Sequence, residues 1–288
     1  MARVVFLGTP AAAVAPLRAL VEAGHDVALV VTRADRRRGR NAALTPSPVK
    51  EAALSLGLAV TETVDDVLSA HAELGVVVAF GRLVKPHVLD VVPMVNLHFS
   101  LLPRWRGAAP VERAILAGDR ETGVCLMQLE EGLDTGPVYA CTKVAIGDTE
   151  TVEELRARLV EVGTQLLLSS LQQGLGVPSP QVGEPTYADK VTPADLHLDW
   201  SRPAVELARI PRVGKAWTTF RGRRLIVLRA RVAPTGPPPG VLEGVVVGTA
   251  DGGLELIEVQ PEGKSAQSAS DWRNGARPAV GQVLGDGP

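Results

Sequence analysis

The chain reads as α/β: a Rossmann-like domain built on a mostly parallel sheet, followed by a small β-barrel domain. Three observations lead there. Short apolar runs alternate with helical patterns as far as about Gln173, a Gly/Pro-rich stretch follows, and past Trp200 strand-like segments alternate with Pro/Gly clusters.

The elements follow in order. Arg3 to Leu7 is an apolar run that ends at Gly8-Thr9-Pro10. A small, Ala-rich helical pattern continues to Glu22, with Gly24 as its stop. Val27 to Val31 reads as a second buried strand. Pro48 to Leu56 reads as a helix, with Ser47 as N-cap and Pro48 at the first helical position. Val76 to Phe80 is a third strand, and Val95 to His98 is a strand end of the kind where open α/β sheets place ligands. A long helix is expected from Thr151 to Gln173, and Gly174 to Pro185 reads as a connection. Beyond it come a short helix near Ala204 to Ile210 and strands at Leu225 to Val232, Gly244 to Thr249 and Leu254 to Val259. The expected division is a first domain over 1–185, a linker over 186–203 and a second domain over 204–288.

Composition sets bounds. The 288 residues, 45% hydrophobic and 22% charged, suffice for one substantial core and one smaller one. The longest apolar stretches, such as Gly75 to Phe80, are too short to cross a bilayer, and the N-terminus starts on a strand pattern. A soluble, cytoplasmic protein with no membrane partner is expected. Cys125 and Cys141 sit in apparent strands without CxxC or metal-like spacing, so two buried free thiols and no metal are expected. The net charge of −2 hides an asymmetry. From Ser201 onward there are 12 Lys/Arg against 8 Asp/Glu, and before it 18 against 24. Nine basic residues between Arg202 and Arg231 face one acid, Glu206, a field a polyanion would sense, although a solvated basic face is the plainer alternative. The first turn, GTPAAA, lacks the G-x-G-x-x-G spacing that admits a pyrophosphate, so no nicotinamide cofactor is expected.

The most informative run is NLHFSLLPRWRGAAP, Asn96 to Pro110, together with EEGLDTG downstream. Asn96 and His98 are two apart, so on an extended strand their side chains share a face. An amine attacking an acyl carbon builds negative charge on oxygen, which an Asn amide and a protonated imidazole would stabilise. The amine also loses a proton while the leaving nitrogen gains one, and histidine exchanges protons near neutral pH. Asp134 could orient the ring. No nucleophilic Ser or Cys is required. Taken alone, the same residues could be a strand cap, a core histidine and a turn aspartate.

The surrounding sequence resembles the folate-dependent formyltransferases, and among them the methionyl-tRNA formyltransferase family. The likeness runs through VVFLGTP (Val4 to Pro10), TPSPVK (Thr45 to Lys50), NLHFSLLPRWRGAAP and ETGVCLMQLEEGLDTGPV (Glu121 to Val138). It continues through LDW (Leu198 to Trp200), AWTTFRGRRL (Ala216 to Leu225) and VQPEGK (Val259 to Lys264). It implies formyl transfer from 10-formyltetrahydrofolate, a co-substrate, to the α-amino group of methionyl initiator tRNA, in support of translation initiation. It also implies catalysis by Asn96, His98 and Asp134 and a folate pocket lined by Ser100, Leu101, Leu102 and Pro103. Arg104, Trp105 and Arg106 would hold this loop or meet anionic parts of a substrate.

The segment Arg33 to Arg40 carries five arginines against one aspartate. By resemblance it belongs to a loop that enters the tRNA acceptor end, which makes Arg36, Arg37, Arg38 and Arg40 candidate tRNA contacts. Many family members have Gly-Arg-Gly followed by lysines, whereas here Gly39-Arg40 precedes Asn41-Ala42-Ala43. Arg40 is the candidate for the acceptor stem, with Arg36 to Arg38 supplying charge. The second domain is implied to be OB-like, with Arg221, Arg223 and Arg224 toward tRNA. The protein is expected to act as a monomer. The rivals are a formyltransferase acting on a small amine such as an amino sugar, a formyl-folate hydrolase, and a non-catalytic RNA-binding or folate-sensing protein. The last would be marked by loss of Asn, His or Asp, and all three are present.

Overall fold

A computed structural model describes residues 1–37 and 43–285. The chain forms two compact units. One comprises Met1–Val111, Glu121–Ala145 and Leu155–Asp189, and the other Glu112–Arg120, Ile146–Glu154 and Lys190–Pro288.

The first unit is built on seven strands: β1 (Arg3–Gly8), β2 (Asp26–Val31), β3 (Val60–Thr61), β4 (Leu74–Val78), β5 (Met94–His98), β6 (Glu121–Gln128) and β7 (Val138–Ala145). Their spatial order is β7-β6-β5-β4-β1-β2-β3. β1 to β5 pair in parallel, and β6 and β7 add antiparallel. Val4, Val5, Phe6 and Leu7 are wholly buried, as an apolar run covered on both faces must be. Each such side chain stabilises the fold by about 1.5–3 kcal/mol. The order in which strands are added reverses between the parallel neighbours β1 and β4, so their carboxyl ends, with that of β5 beside them, border the crevice where such sheets take ligands.

Local rules explain the neighbouring elements. Helix α1 (Val14–Glu22) buries Leu17 and Leu20 and is followed by Gly24 at φ 81°. Helix α2 (Pro48–Ser55) starts at Ser47, whose Oγ accepts the Lys50 N–H at 3.0 Å. Ser47 Oγ also meets the buried Thr32 Oγ1 at 2.7 Å. The Lys50 ammonium reaches Asp35 at 2.8 Å, and that contact raises its pKa above the usual lysine value. TPSPVK therefore anchors the base of a short hairpin in which Arg36 pairs with Thr45 and Arg37 with Leu44. Helix α3 (Val152–Gln173) lies within a residue of its expected bounds.

The second unit is a small antiparallel β domain, as expected. Ala216–Phe220, Arg223–Ala233, Gly253–Pro261, Val246–Gly248 and Leu242–Glu243 lie side by side in that order, with Gln267–Ser268 added to Gly253–Pro261. Its core gathers Leu198, Trp200, Leu225, Val227, Leu256, Val259 and Trp272. The LDW motif is thereby explained as packing: the Trp200 indole N–H donates to Thr218 Oγ1 at 3.1 Å inside this core.

One expectation is corrected. Cys125 and Cys141 are not free thiols but are joined as a disulfide. The β6/β7 register sets them directly opposite each other, with Cα atoms 4.2 Å apart, and spacing along the chain gave no sign of that register. Among the described residues no helix is long and apolar enough to cross a membrane.

Candidate active site

The end of β5 supplies Asn96 and His98. They alternate with Leu97 along the strand, which puts both on one face, and His98 is 5% exposed. The third residue arrives on the loop after β6. Gly136 closes that loop against the strand it leaves: a Cβ there would lie 2.0 Å from the Gln128 carbonyl oxygen. Asp134 itself adopts a left-handed backbone (φ 50°), a conformation aspartate tolerates better than most residues.

The three side chains converge on the carboxylate. Asp134 Oδ2 lies 3.5 Å from His98 Nδ1, and the Asn96 amide donates to Asp134 Oδ1 at 3.5 Å. The Gly107 N–H donates to Asp134 Oδ2 at 2.8 Å. His98 Nε2 lies 2.8 Å from the Trp105 carbonyl oxygen. A carbonyl only accepts, so Nε2 carries a proton and Nδ1 is the nitrogen turned to the carboxylate. His98 and Asp134 are both almost fully enclosed, with side chains 6% and 12% exposed, which strengthens their interaction.

The SLLP run turns just past His98. Ser100 is wholly buried and its hydroxyl donates to the Arg104 carbonyl at 2.5 Å, so Ser100 ties the loop while Leu101, Leu102 and Pro103 are half-buried along it. Arg104 lies over the Trp105 ring at 4.5 Å. Trp105 takes a left-handed backbone, and its N–H donates to Thr186 Oγ1 at 2.9 Å. Arg106 and Gly107 pair in parallel with Tyr187 and Ala188. Gly107 has φ 120° and faces the Ala188 carbonyl, which a Cβ would approach to 3.0 Å. WRGAAP is therefore a segment in which glycine is required so that its N–H can reach Asp134.

The arginines expected to meet nucleic acid divide between the two units. Arg36 and Arg37 are exposed on the short hairpin, whereas Arg38 and Arg40 lie outside the described residues. Arg221, Arg223 and Arg224 come together around one turn of the second unit. Arg221 donates to the carbonyls of Ala276 and Arg277 and lies over Phe220. Arg224 covers Trp217 at 4.4 Å, and Arg223 lies 3.7 Å from Glu262. Part of this basic cluster thus braces its own domain.

Sequence reasoning missed Gln181 and Thr186. Both lie in the stretch beyond α3, where nothing in the composition marks them as neighbours of the site.

The chain as a whole is similar to known proteins. A family model described as formyl transferase matches residues 2–171, and one described as formyl transferase, C-terminal domain, matches residues 190–277. A methionyl-tRNA formyltransferase from Clavibacter sepedonicus is 47% identical over 95% of this chain and 97% of its own. Another, from Symbiobacterium thermophilum, is 42% identical over 98% of this chain and 94% of its own. The crystal structure of the N-formyltransferase from Helicobacter canadensis, in complex with folinic acid and dTDP-3-aminofucose, superposes with a TM-score of 0.69. It covers 91% of this chain and 100% of its own, and at 16% identity it speaks to the fold alone. With both family models matched and full-length relatives above 40% identity, the chain belongs to the formyl transferase family, alongside the methionyl-tRNA formyltransferases.

Proposed function

We propose that this protein transfers the formyl group of 10-formyltetrahydrofolate to the α-amino group of methionyl initiator tRNA, and so serves translation initiation. The observation that carries the chemistry is the enclosed cluster of Asn96, His98 and Asp134 at the end of β5. The substrate assignment rests on the near full-length likeness to methionyl-tRNA formyltransferases.

In this mechanism the amine nitrogen attacks the formyl carbon and the carbonyl oxygen takes up negative charge. One N–H of the Asn96 amide faces Asp134, which leaves its second N–H to meet that oxygen. The N–C bond is made at the amine and broken at folate N10. The amine gives up one proton and N10 receives one, with His98 as the relay through Nε2, which exchanges the Trp105 carbonyl for the substrate while Asp134 faces Nδ1 and holds the ring. Leu101, Leu102 and Pro103 offer apolar surface to the folate rings. Arg36, Arg37, Arg38 and Arg40 act with Arg223 and Arg224 on the tRNA backbone, and Arg221 holds the turn that presents the last two.

The reading assigns catalysis to 1–185, a linker to 186–203 and tRNA binding to 204–288, in a cytoplasmic monomer. To test it, the purified protein is incubated with 10-formyltetrahydrofolate and, separately, charged initiator tRNA, charged elongator tRNA, free methionine and a nucleotide amino sugar. Efficient formylation of the initiator tRNA alone is expected. Equal turnover of methionine or the amino sugar would defeat the assignment.

A further inference from the structure

We infer that Gln181 is a positioning residue for Asp134, and through it for His98; the inference deepens the proposed formyl transfer and rests on that reading. Gln181 lies in the stretch between α3 and the second unit, and its side chain joins two loops of the site. Its Oε1 accepts from Arg106 Nε at 3.1 Å and Nη2 at 2.7 Å. Its Nε2 donates to the main-chain carbonyls of Asp134 and Gly136, each at 2.8 Å.

The orientation of this amide is fixed by its partners, because a guanidinium only donates and a carbonyl only accepts. All four hydrogen-bonding positions are used. One side chain thus connects the loop that carries Arg106 and Gly107 to the loop that carries Asp134. The Gly107 N–H completes the circuit by donating to the Asp134 carboxylate.

Asp134 needs such support. Its left-handed backbone, φ 50°, persists only where neighbours hold it. Gln181 is itself anchored on both sides. Ser179 exchanges two backbone hydrogen bonds with Val138, at 2.8 and 2.9 Å, and Thr186 accepts the Trp105 N–H while Tyr187 and Ala188 pair with Arg106 and Gly107. Residues 179–188 therefore form a strap across the site, as well as a connection between elements.

Two variants separate the parts of this role. Gln181→Met keeps the length and removes every hydrogen bond, whereas Gln181→Glu still accepts from Arg106 but cannot donate to the two carbonyls. Both are expected to lower kcat for formyl transfer by about 10- to 100-fold, as a slightly misplaced catalytic group does. KM for either substrate should stay within about threefold, because neither substrate is bound by Gln181. In the Asp134→Asn background Gln181→Met should add almost nothing, since its effect passes through the carboxylate. Amide exchange on the ligand-free full chain gives a readout without catalysis: Gly107 should exchange about tenfold faster in Gln181→Met than in wild type, with the melting temperature checked for folding.

An unchanged Gly107 exchange rate, or an undiminished Gln181→Met effect in the Asp134→Asn background, would overturn the inference. If the wild-type protein formylated no amine, the functional reading would fall instead, and Gly107 exchange would still decide the role of Gln181.

Discussion

Replacing Asp134 by Asn tests the site most sharply, because shape is kept and only charge and one acceptor are lost. The carboxylate now faces three donors or donor-capable groups: the Gly107 N–H at 2.8 Å, the Asn96 amide at 3.5 Å and His98 Nδ1 at 3.5 Å. An amide cannot satisfy all of them. With its oxygen toward Gly107, its NH2 opposes the NH2 of Asn96; with its NH2 toward Gly107, two donors collide there. The charge can be given a magnitude. Two unit charges at the observed 3.5 Å interact by roughly 5 kcal/mol at an effective dielectric constant of about 20. Only the part that grows as His98 gains its proton lowers the barrier. If that is about half, the loss is ~2.5 kcal/mol, or on the order of 10² in rate. The assay is single-turnover formylation of charged initiator tRNA at saturating folate, with folate binding measured alongside. A rate within about threefold of wild type would rule out this role for the carboxylate and return GLDTG to a plain turn.

Further outcomes follow from other contacts. The double variant His98→Ala, Asp134→Asn should be scarcely slower than the slower single variant in the same assay, since the two act as one device; multiplicative losses would mean that they act separately. Replacing both Arg223 and Arg224 by Gln should reduce the slope of log Kd against log salt for tRNA by about one unit per charge, and an unchanged slope would make them a solvated face. Arg113 donates to Asp195 and holds its carboxyl down to about 2, so the pair stabilises the fold fully above the unfolded carboxylate value of about 3.9 and ceases to do so as pH falls through about 2. After a discount for partial exposure, Arg113→Ala should cost on the order of 1 kcal/mol at pH 6, with the urea midpoints of the two proteins converging near pH 2. A gap as wide at pH 2 as at pH 6 would contradict this.

Much of the architecture was legible because it depends on local rules. Buried runs such as Val4 to Leu7, the Ser47-Pro48 helix start and the two-residue spacing of Asn96 and His98 each carry their own signature. What depends on pairing between distant segments was not legible. Cys125 and Cys141 became partners through the β6/β7 register, which a spacing of 16 residues does not specify. β3 is only two residues long, too short for alternation to register. Ala216–Phe220 was missed as a strand, because Trp217, Thr218 and Thr219 gain their pairing from Arg223–Ala233 across the turn. Gln181 was invisible for a related reason: its partners lie at 106, 134 and 136, and a single glutamine in a Pro/Gly-rich stretch looks like any solvated connection. The LDW and WRGAAP motifs were recognisable by likeness before their causes were. Those causes are a core tryptophan and a glycine pressed against the Ala188 carbonyl.

His98, held between the Trp105 carbonyl and Asp134, is the group proposed to move the proton during formyl transfer to methionyl-tRNA. The most direct measurement compares wild type with His98→Ala in formylating charged initiator tRNA from 10-formyltetrahydrofolate, with folate affinity measured for both. N-formylmethionyl-tRNA is expected from the wild type, with a rate lower by on the order of 10²–10⁴ in the variant and little change in folate binding. Equal rates in the two proteins, or no formylated tRNA from the wild type, would contradict it.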